Sequence, residues 1–297
     1  MKEVKQIDFN SFPHNLDCTQ IEGKLFLTDN VDLPDDYVPM TINTHGPVKL
    51  KMSLIFICTQ GHMDININLQ EYKLIPKHVA TITANSFMQI TEISKDFKGY
   101  LIAISQGFLD YSQDFKIGLA MINQTREYPL APLSDSNMQD AIDIYTMMKR
   151  KLREPNFKYK EQVAKNLLNI LRYNGLQAIV EYLGKKRPLI TNRKEDMLNQ
   201  FITIVRDNYK TERQLSFYST QMGVTPKYLS TVIKEISGKY ATDWINEYIL
   251  LEAKALLKNS DMTIKEICMG LNFSSVSVFT KYFKQNTGYT PKEYRES

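Results

Sequence analysis

The feature that most constrains the fold is a repeat in the last third of the chain. Gly238 and Gly288 lie 50 residues apart, and a lysine, Lys234 or Lys284, stands four residues before each of them. Similarity at a fixed offset marks a repeated structural unit. We therefore expect this part of the chain to fold twice into the same local arrangement.

In each copy, the residue pattern predicts a short helix, a tight turn and a longer helix. The predicted helices cover residues 215–222 and 226–237 in the first copy, and residues 263–271 and 275–287 in the second. These are the proportions of a helix-turn-helix. Gly223 supplies the positive φ that the first sharp turn needs, and Asn272 is the next-best residue type for the second.

Residues typical of helix starts stand where these helices are predicted to begin. Thr225 precedes Pro226 as an N-cap precedes a first-turn proline. Thr263, followed three residues later by Glu266, forms the pattern of a capping box. The local chemistry thus predicts the same helix starts as the spacing of the apolar residues.

A longer helix is predicted between the two copies, over residues 241–258. At about 1.5 Å per residue it would be roughly 27 Å long. Successive major grooves on one side of DNA lie roughly 34 Å apart. The spacing therefore predicts that the two units enter consecutive major grooves.

The N-terminal part of the chain has a different pattern, with short apolar runs broken by turn signals. The runs cover residues 52–58, 63–69, 79–83, 87–93 and 100–104. The second run alternates strictly, as a half-buried strand does. Regular spacing of such runs predicts an antiparallel sandwich or a small barrel.

Helical periodicity begins after about Pro132 and is interrupted once, at residues 154–156. The apolar positions are Met138, Ala141, Ile142, Tyr145, Met148 and Leu152 in the first helix, and Val163, Leu167, Ile170, Leu171, Ala178 and Tyr182 in the second. The second helix also carries Leu168, Ile179 and Leu183, so its apolar surface is wider than one stripe. Packing on the β domain and a subunit interface both remain open.

Charge is unevenly distributed along the chain. Residues 185–297 carry a net charge of +6 and residues 1–184 one of −2, within a total of +4. This favours a polyanion-binding module joined to a second domain. The predicted domains are a β-rich domain (1–132), a helical hairpin (133–184), a basic linker (185–192) and a helical, polyanion-binding domain (193–297).

Several classes of protein are excluded by composition. Three cysteines in 297 residues exclude a disulfide framework. The first eight residues lack the apolar core of a signal peptide, and no stretch approaches the roughly 18 apolar residues of a membrane span. We expect a cytoplasmic protein without a membrane partner.

The segment from about residue 197 to residue 295 resembles the DNA-binding domain of the AraC/XylS transcriptional regulators. The resemblance covers about a third of the chain. It rests on Tyr228, Leu229, Ser230 and Gly238, on residues 252–257, and on Ile264, Lys265, Glu266, Ile267, Phe273, Ser274, Phe279, Phe283, Lys284, Gly288, Pro291, Tyr294 and Arg295.

The sequence departs from that family at three positions. Asn272 stands where the family usually has glycine, and we expect the turn to survive because asparagine tolerates the left-handed conformation. Cys268 replaces a small alanine, which we interpret as a structural substitution. Ile249 stands where arginine is common, so packing should replace any polar contact of that arginine.

The resemblance implies an α+β protein with an N-terminal cupin-like barrel, a helical hairpin that pairs two subunits, and an all-α domain of two helix-turn-helix units. It implies a sequence-specific transcription regulator, not an enzyme. The candidate partners are double-stranded promoter DNA, a second copy of the chain, a small-molecule effector and RNA polymerase. No cofactor is expected.

Candidate DNA contacts lie on the second helix of each unit. They are Lys227, Tyr228, Ser230, Thr231 and Lys234 in the first unit, and Ser275, Val276, Ser277, Thr280 and Lys281 in the second. Leu229, Val232, Ile233, Phe273, Phe279 and Phe283 are the predicted core. By resemblance, Lys227, Ser230 and Thr231 face bases. The second unit has few long polar side chains, so we predict that the first discriminates sequence more strongly.

Two other hypotheses for the function stay open. One is a metal-dependent barrel enzyme with a helical appendage, and the other is a protein-interaction module. The four histidines, His14, His45, His62 and His78, do not form the closely spaced ligand pattern of metal-binding cupins, so no metal is expected. The candidate effector site is the interior of the β domain, and the sequence does not indicate the ligand.

Overall fold

A computed structural model describes residues 18–29, 46–108, 128–186 and 193–296. The chain divides into two compact units. The N-terminal unit comprises Ile7–Thr44 and Lys49–Pro188, and the main segment of the C-terminal unit is Leu189–Ser297. Of the predicted linker, residues 185 and 186 are helical and the rest lies outside the described residues.

The N-terminal unit contains two antiparallel sheets. Its described strands are β1 (Cys18–Ile21), β2 (Leu25–Asp29), β3 (Val48–Lys49), β4 (Met52–Gln60), β5 (Met63–Ile67), β6 (Gln70–Leu74), β7 (His78–Ile82), β8 (Phe87–Ile93), β9 (Lys98–Ser105) and β10 (Leu130–Pro132). The larger sheet has the order β1-β2-β9-β4-β7-β10 and the smaller one β3-β8-β5-β6. With the helical C-terminal unit, this confirms the α+β class, while the cupin-like assignment stays a prediction.

The larger sheet is buried on both faces. Ile55 and Ile57 of β4 belong to the core shared with the helical hairpin. Leu54 and Phe56 point to the opposite face, because successive side chains of a strand alternate, and they are also buried. This explains why β4 is an unbroken apolar run instead of an alternating one.

The sequence did not predict β1, β2, β3, β6 or β10. Only Leu74 of β6 is buried, so that strand lacks the apolar alternation that would reveal it. β1 and β2 are joined by a turn in which Gly23 has a φ of 66°. β1 pairs with β2 so that Cys18 lies opposite Thr28, and β2 pairs in turn with β9.

The helical hairpin consists of α1 (Asp135–Arg153) and α2 (Lys160–Lys186). The predicted apolar positions of α1 are buried, except that Ile142 is half-buried. The Asp29 carboxylate of β2 accepts hydrogen bonds from the Tyr145 hydroxyl at 3.1 Å and from Lys149 Nζ at 2.5 Å. α1 is therefore held to the larger sheet by both packing and polar contacts.

Ile170, one of the apolar positions of α2, is 48% exposed. Leu168 and Ile179 are buried in the core with the sheet. At about 100° per residue, Ile170 lies about 200° around the helix from Leu168. Tyr173 and Val180 are exposed on the same side as Ile170. α2 therefore has one apolar face on the sheet and a second, exposed apolar face.

The C-terminal unit is helical throughout its described elements. They are α3 (Arg193–Asn208), α4 (Leu215–Gln221), α5 (Pro226–Ser237), α6 (Ala241–Asn259), α7 (Ile264–Gly270), α8 (Val276–Thr287) and α9 (Pro291–Glu296). The predicted helices of both copies and the helix between them are confirmed to within one residue at each end. None of the helices in the described ranges is long and apolar enough to cross a membrane.

Candidate DNA interface

The first helix-turn-helix consists of α4, a turn at Gly223 and α5. Gly223 has a φ of 65°, as the sharp turn requires. The Thr225 hydroxyl accepts the Tyr228 backbone N–H at 3.2 Å, which makes it the N-cap of α5. The predicted core positions of α5 are buried. The opposite side of α5 is left to solvent.

The second helix-turn-helix consists of α7, a turn at Asn272 and α8. Asn272 has a φ of 55°, so the expected left-handed turn forms without glycine. The Ser275 hydroxyl caps α8 by accepting the Val278 N–H at 3.3 Å. At the start of α7 the Thr263 N–H donates to Glu266 Oε2 at 2.7 Å, which confirms the capping box. Phe273, Phe279 and Phe283 are buried as predicted.

The repeat is reproduced in the hydrogen bonds that end α5 and α8. Gly238 and Gly288 have φ values of 73° and 81°, and each donates its backbone N–H over 2.9 Å to the lysine carbonyl four residues earlier. The hydroxyl before each glycine, Ser237 or Thr287, donates to the carbonyl four residues earlier and accepts the N–H two residues later. The two helix ends are thus built alike.

The two turns differ in length by one residue. The positive-φ residues Gly223 and Asn272 lie 49 apart, whereas the N-caps Thr225 and Ser275 lie 50 apart. Ser274 is the additional residue of the second turn. The sequence comparison, made at an offset of 50 only, did not detect it.

The structure places most of the predicted contact residues on exposed helix faces. Lys227, Tyr228, Thr231, Lys234, Ser275, Val276, Ser277 and Lys281 are exposed, and Ser230 and Thr280 are half-buried. Val278, which follows Ser277 in α8, is 49% exposed. Ser230 and Thr280 lie 50 residues apart, so the two faces correspond position by position.

Two of these side chains already make contacts within the domain. Lys234 Nζ lies 3.5 Å from the centre of the Tyr240 ring, a cation–π contact at the C-terminal end of α5. The Thr231 hydroxyl donates to the Lys227 carbonyl at 2.9 Å. The ammonium group of Lys234 is therefore held near the helix end, away from the first turn of α5.

A buried carboxylate anchors α6 to α3. The Glu252 side chain is 1% exposed, accepts the Tyr209 hydroxyl at 2.6 Å and lies 2.5 Å from Lys210 Nζ. Burial and the adjacent carboxylate raise the pKa of Tyr209. Sequence patterns did not indicate this contact, because apolar periodicity does not predict a buried charge. Ile249, where the family commonly has arginine, is buried by packing as expected.

Arg213 joins the two helix-turn-helix units. Its guanidinium lies 3.7 Å from the centre of the Phe273 ring and donates to the Leu271 carbonyl, both in the second turn. Asn272 returns the contact by donating from Nδ2 to the Thr211 carbonyl at 3.3 Å. The loop before α4 is therefore fixed to the turn between α7 and α8. Sequence reasoning missed Arg213, since an arginine in a loop carries no local signal.

Further hydrogen bonds fix α6 to both units. Trp244 Nε1 donates to the Ser237 hydroxyl of the first unit at 3.1 Å. The Tyr282 hydroxyl of the second unit donates to the Asn246 carbonyl at 2.9 Å, and Arg295 Nε donates to the Leu257 carbonyl at 3.1 Å. With 19 residues, α6 is about 28 Å long. It runs between the two helix-turn-helix units as one continuous helix.

Cys268 is buried beneath the second unit. Its thiol lies 3.8 Å from the Phe273 carbonyl, and burial raises its pKa. A raised thiol pKa disfavours the reactive thiolate. The environment supports the interpretation of Cys268 as a structural residue.

One group of side chains in the N-terminal unit offers metal-ligand atoms. Ligand atoms of His62, Asp64 and Glu92 lie within 4.8 Å of one another, and Lys73 Nζ pairs with Asp64 at 3.4 Å. His78 lies elsewhere, with Nδ1 3.2 Å from the Pro76 carbonyl. His14 and His45 lie outside the described residues. The expectation of no metal stays a prediction.

Comparison with known proteins supports the assignment of the C-terminal unit as a helix-turn-helix domain. Residues 218–297 match a family model described as a helix-turn-helix domain. The regulator ExsA of Pseudomonas aeruginosa is 33% identical over 107 residues, which are 36% of this chain and 37% of that protein. The activator VirF of Yersinia enterocolitica is 31% identical over 129 residues, 43% of this chain and 45% of that protein. The chain thus spans less than half the length of these relatives.

Two solved structures are similar at lower identity. ToxT from Vibrio cholerae is 16% identical with a TM-score of 0.43, covering 86% of this chain and 92% of that one. A DNA-binding transcriptional dual regulator from Escherichia coli is 24% identical with a TM-score of 0.31, covering 34% of this chain and 95% of that one.

The fold and the match together define a C-terminal domain made of two helix-turn-helix units. Over residues 218–297 the chain is similar to that family of helix-turn-helix domains.

Proposed function

We propose that the chain is a sequence-specific transcription regulator that inserts α5 and α8 into successive major grooves of promoter DNA. The observation that carries this proposal is the pair of similarly capped helices with exposed faces, connected through α6 and Arg213. A length of about 28 Å for α6 is close to the roughly 34 Å between successive grooves. The protein would act as a regulator in the cytoplasm, not as an enzyme.

In this proposal, the first turn of α5 contacts bases. Lys227 donates to guanine O6 and N7, and Ser230 and Thr231 donate to or accept from base edges. Tyr228 is 48% exposed beside Lys227 and packs on the sugar-phosphate backbone. Lys234, held at the C-terminal end of α5, neutralises a phosphate.

The face of α8 has a different chemistry. Val276 and Val278 are 39% and 49% exposed and offer apolar contact to thymine methyl groups. Ser275, Ser277, Thr280 and Lys281 bind phosphates or sugars and fix the register. In this proposal α5 supplies most of the sequence preference, and α8 mainly positions the domain.

We assign control to the N-terminal unit and dimerisation to α2. Support for dimerisation comes from the exposed apolar face of Ile170, Tyr173 and Val180, opposite the face that packs on the sheet. A second copy of the chain would cover this face. A bound small molecule or RNA polymerase would then act on a dimer.

A salt titration tests the DNA-binding proposal against its rivals. Binding of the full chain to a fluorescent promoter duplex should weaken steeply as salt rises, with a log–log slope of about −0.9 per neutralised phosphate. A flat response would favour a protein-interaction module and contradict the proposal. Stoichiometric iron, zinc or manganese in the purified protein would favour the metal-dependent enzyme.

A further inference from the structure

The connection between α1 and α2 carries a dense positive charge. Residues 149–165, here called the hairpin tip, contain seven lysines and arginines and two glutamates, a net charge of +5. Residues 1–184 as a whole carry a net charge of −2. The hairpin tip is therefore a basic patch within an otherwise acidic stretch of the chain, and a patch of this kind attracts polyanions.

Both glutamates of the hairpin tip are already paired with lysines. Glu154 Oε2 lies 2.8 Å from Lys151 Nζ. Glu161 is paired with Lys24 Nζ at 2.8 Å and with Lys165 Nζ at 3.1 Å. Hydrogen bonds from these two lysines hold the pKa of Glu161 below its usual value. The acidic groups of the hairpin tip are thus used, and they do not compensate its remaining cations.

Three cations of the hairpin tip have no acidic partner in the part of the chain that the structure describes. They are Arg150, Lys158 and Lys160. Arg150 and Lys158 are exposed, and Lys160 is half-buried. Tyr159 stands between the two lysines and is 65% exposed. Arginine, lysine and tyrosine are among the side chains that donate to DNA phosphates.

Contacts within the hairpin tip define the position of Tyr159. Asn156 has a φ of 60°, which turns the chain between the two helices. Lys151 Nζ lies 5.0 Å from the centre of the Phe157 ring, and this ring meets the Tyr159 ring edge-on, with 6.5 Å between their centres. The Tyr159 carbonyl accepts the Val163 N–H at 3.0 Å at the start of α2. The connection thus presents its side chains from a defined conformation.

Helix stability explains only part of this positive charge. Arg150 lies in the last turn of α1, where a cation is favourable because the C-terminal end of the helix dipole is negative. Lys158 and Lys160 lie at the N-terminal end of α2, where the dipole is positive and a cation is unfavourable. These two lysines therefore lower the stability of the chain alone, and a bound anion would compensate for their charge.

We propose that the hairpin tip binds phosphates of the DNA backbone. The three cations without acidic partners neutralise phosphates, and the Tyr159 hydroxyl donates to another. A protein partner fits less well, because protein interfaces are depleted in lysine and have an apolar centre. Tyr159 is the one large apolar side chain exposed within residues 149–165, all of which are described.

Phosphate contacts carry no sequence information, so the hairpin tip adds affinity and leaves base preference to the helix-turn-helix units. The inference rests on the proposed function only in that the chain binds DNA. It does not require that α5 and α8 recognise bases.

The test compares two variants of the full chain that lose the same charge. Lys158→Gln/Lys160→Gln removes two cations of the hairpin tip. Lys95→Gln/Lys98→Gln is the matched control and removes two exposed lysines at the start of β9. Fluorescence anisotropy measures the binding of each variant to a mixed-sequence duplex of about 40 base pairs, roughly four helical turns, at several salt concentrations.

The hairpin-tip variant should bind about tenfold more weakly than the wild type. Its log–log salt slope should be shallower by about 2, since each lost phosphate contact removes about 0.9. The control should lose about twofold or less, because it removes no phosphate contact. Base preference in a randomised DNA pool should not change in either variant. The melting temperature of the hairpin-tip variant should not fall below that of the control.

Three results would each overturn the inference. The first is an equal loss of affinity in the hairpin-tip variant and the control. The second is an unchanged duplex affinity in the hairpin-tip variant, which is the result expected if the hairpin tip binds a protein. The third is a lower melting temperature in the hairpin-tip variant than in the control, because the lysines would then serve the fold.

The same measurements separate this inference from the proposed function. If the wild type binds the duplex with a steep salt dependence and the hairpin-tip variant matches the control, only the hairpin-tip assignment fails. If the hairpin-tip variant loses affinity but the wild type selects no sequence from the randomised pool, the hairpin-tip assignment stands and sequence-specific regulation fails.

Discussion

The two helix-turn-helix units share a scaffold and differ in surface. Both begin the second helix with a hydroxyl cap, Thr225 or Ser275, and both end it at a left-handed glycine. At corresponding positions, however, Lys227 of α5 is matched by Ser277 of α8, and Thr231 by Lys281. Backbone hydrogen bonds and buried side chains thus specify the shape of each unit. The exposed side chains, free to vary on that scaffold, specify what it recognises.

The largest expected effect tests whether the two cores are equivalent. Ile233 and Phe283 occupy matching positions 50 residues apart, and both are fully buried. Ile233→Ala should lower the free energy of unfolding by about 2–5 kcal/mol and Phe283→Ala by about 3–5 kcal/mol.

Trp244, the single tryptophan, lies in α6 and reports on this domain alone during denaturant unfolding. The exposed substitution Gln285→Ala should change stability by less than about 0.5 kcal/mol. If either core variant were equally harmless, the two units would not share a packed scaffold.

The next largest effect concerns DNA recognition, and it should differ between the two helix-turn-helix units. Lys227→Ala should weaken binding to the preferred sequence by about 1–3 kcal/mol and broaden the base preference, because it removes a direct base contact. Ser277→Ala at the matching position should change affinity by less than about 0.5 kcal/mol.

Selection from a randomised DNA pool measures both variants together with Thr231→Ala and Lys281→Ala. A larger change in base preference for the Ser277 or Lys281 variant than for the Lys227 or Thr231 variant would show that the roles of the units are reversed.

Arg213 tests whether the units must be joined to act together. Arg213→Lys keeps the charge but loses the planar stacking on Phe273 and the forked donors. We expect stability to fall by about 1–2 kcal/mol. DNA affinity should fall without a change in base preference, because Arg213 positions the second unit. Fluorescence anisotropy and the randomised pool measure the two quantities, and an altered preference would instead indicate a direct DNA contact.

The smallest expected effect compares the two N-caps. Thr225→Ala and Ser275→Ala should each cost about 1 kcal/mol of stability, because each removes the acceptor for an N–H at the helix start. Thr225→Ser and Ser275→Thr keep a hydroxyl and should restore most of it. Trp244 fluorescence in denaturant measures all four variants. Equal costs support equivalent scaffolds, and a cost confined to one cap would contradict them.

The sequence predicted the features that depend on local chemistry. Thr225, Gly223 and the capping box of Thr263 and Glu266 set helix starts and turns through neighbouring residues, so these were located to within a residue. The face exposed by α5 followed from helical periodicity in the same way.

Features that depend on distant contacts could not be predicted. The guanidinium of Arg213 meets a turn about 58 residues later in the chain, and Glu252 is buried only because Tyr209 and Lys210 reach it. Ile170 fits the apolar period of α2 but lies opposite the sheet.

Hydroxyl-radical footprinting of the full chain on its bound promoter tests the central claim most directly. Two protected patches on one face of the duplex, about 10 base pairs from centre to centre, are expected for two helices in successive major grooves. Lys227→Ala should weaken protection in both patches, because α6 and Arg213 couple the units. A single patch, or two patches on opposite faces of the duplex, would contradict the account.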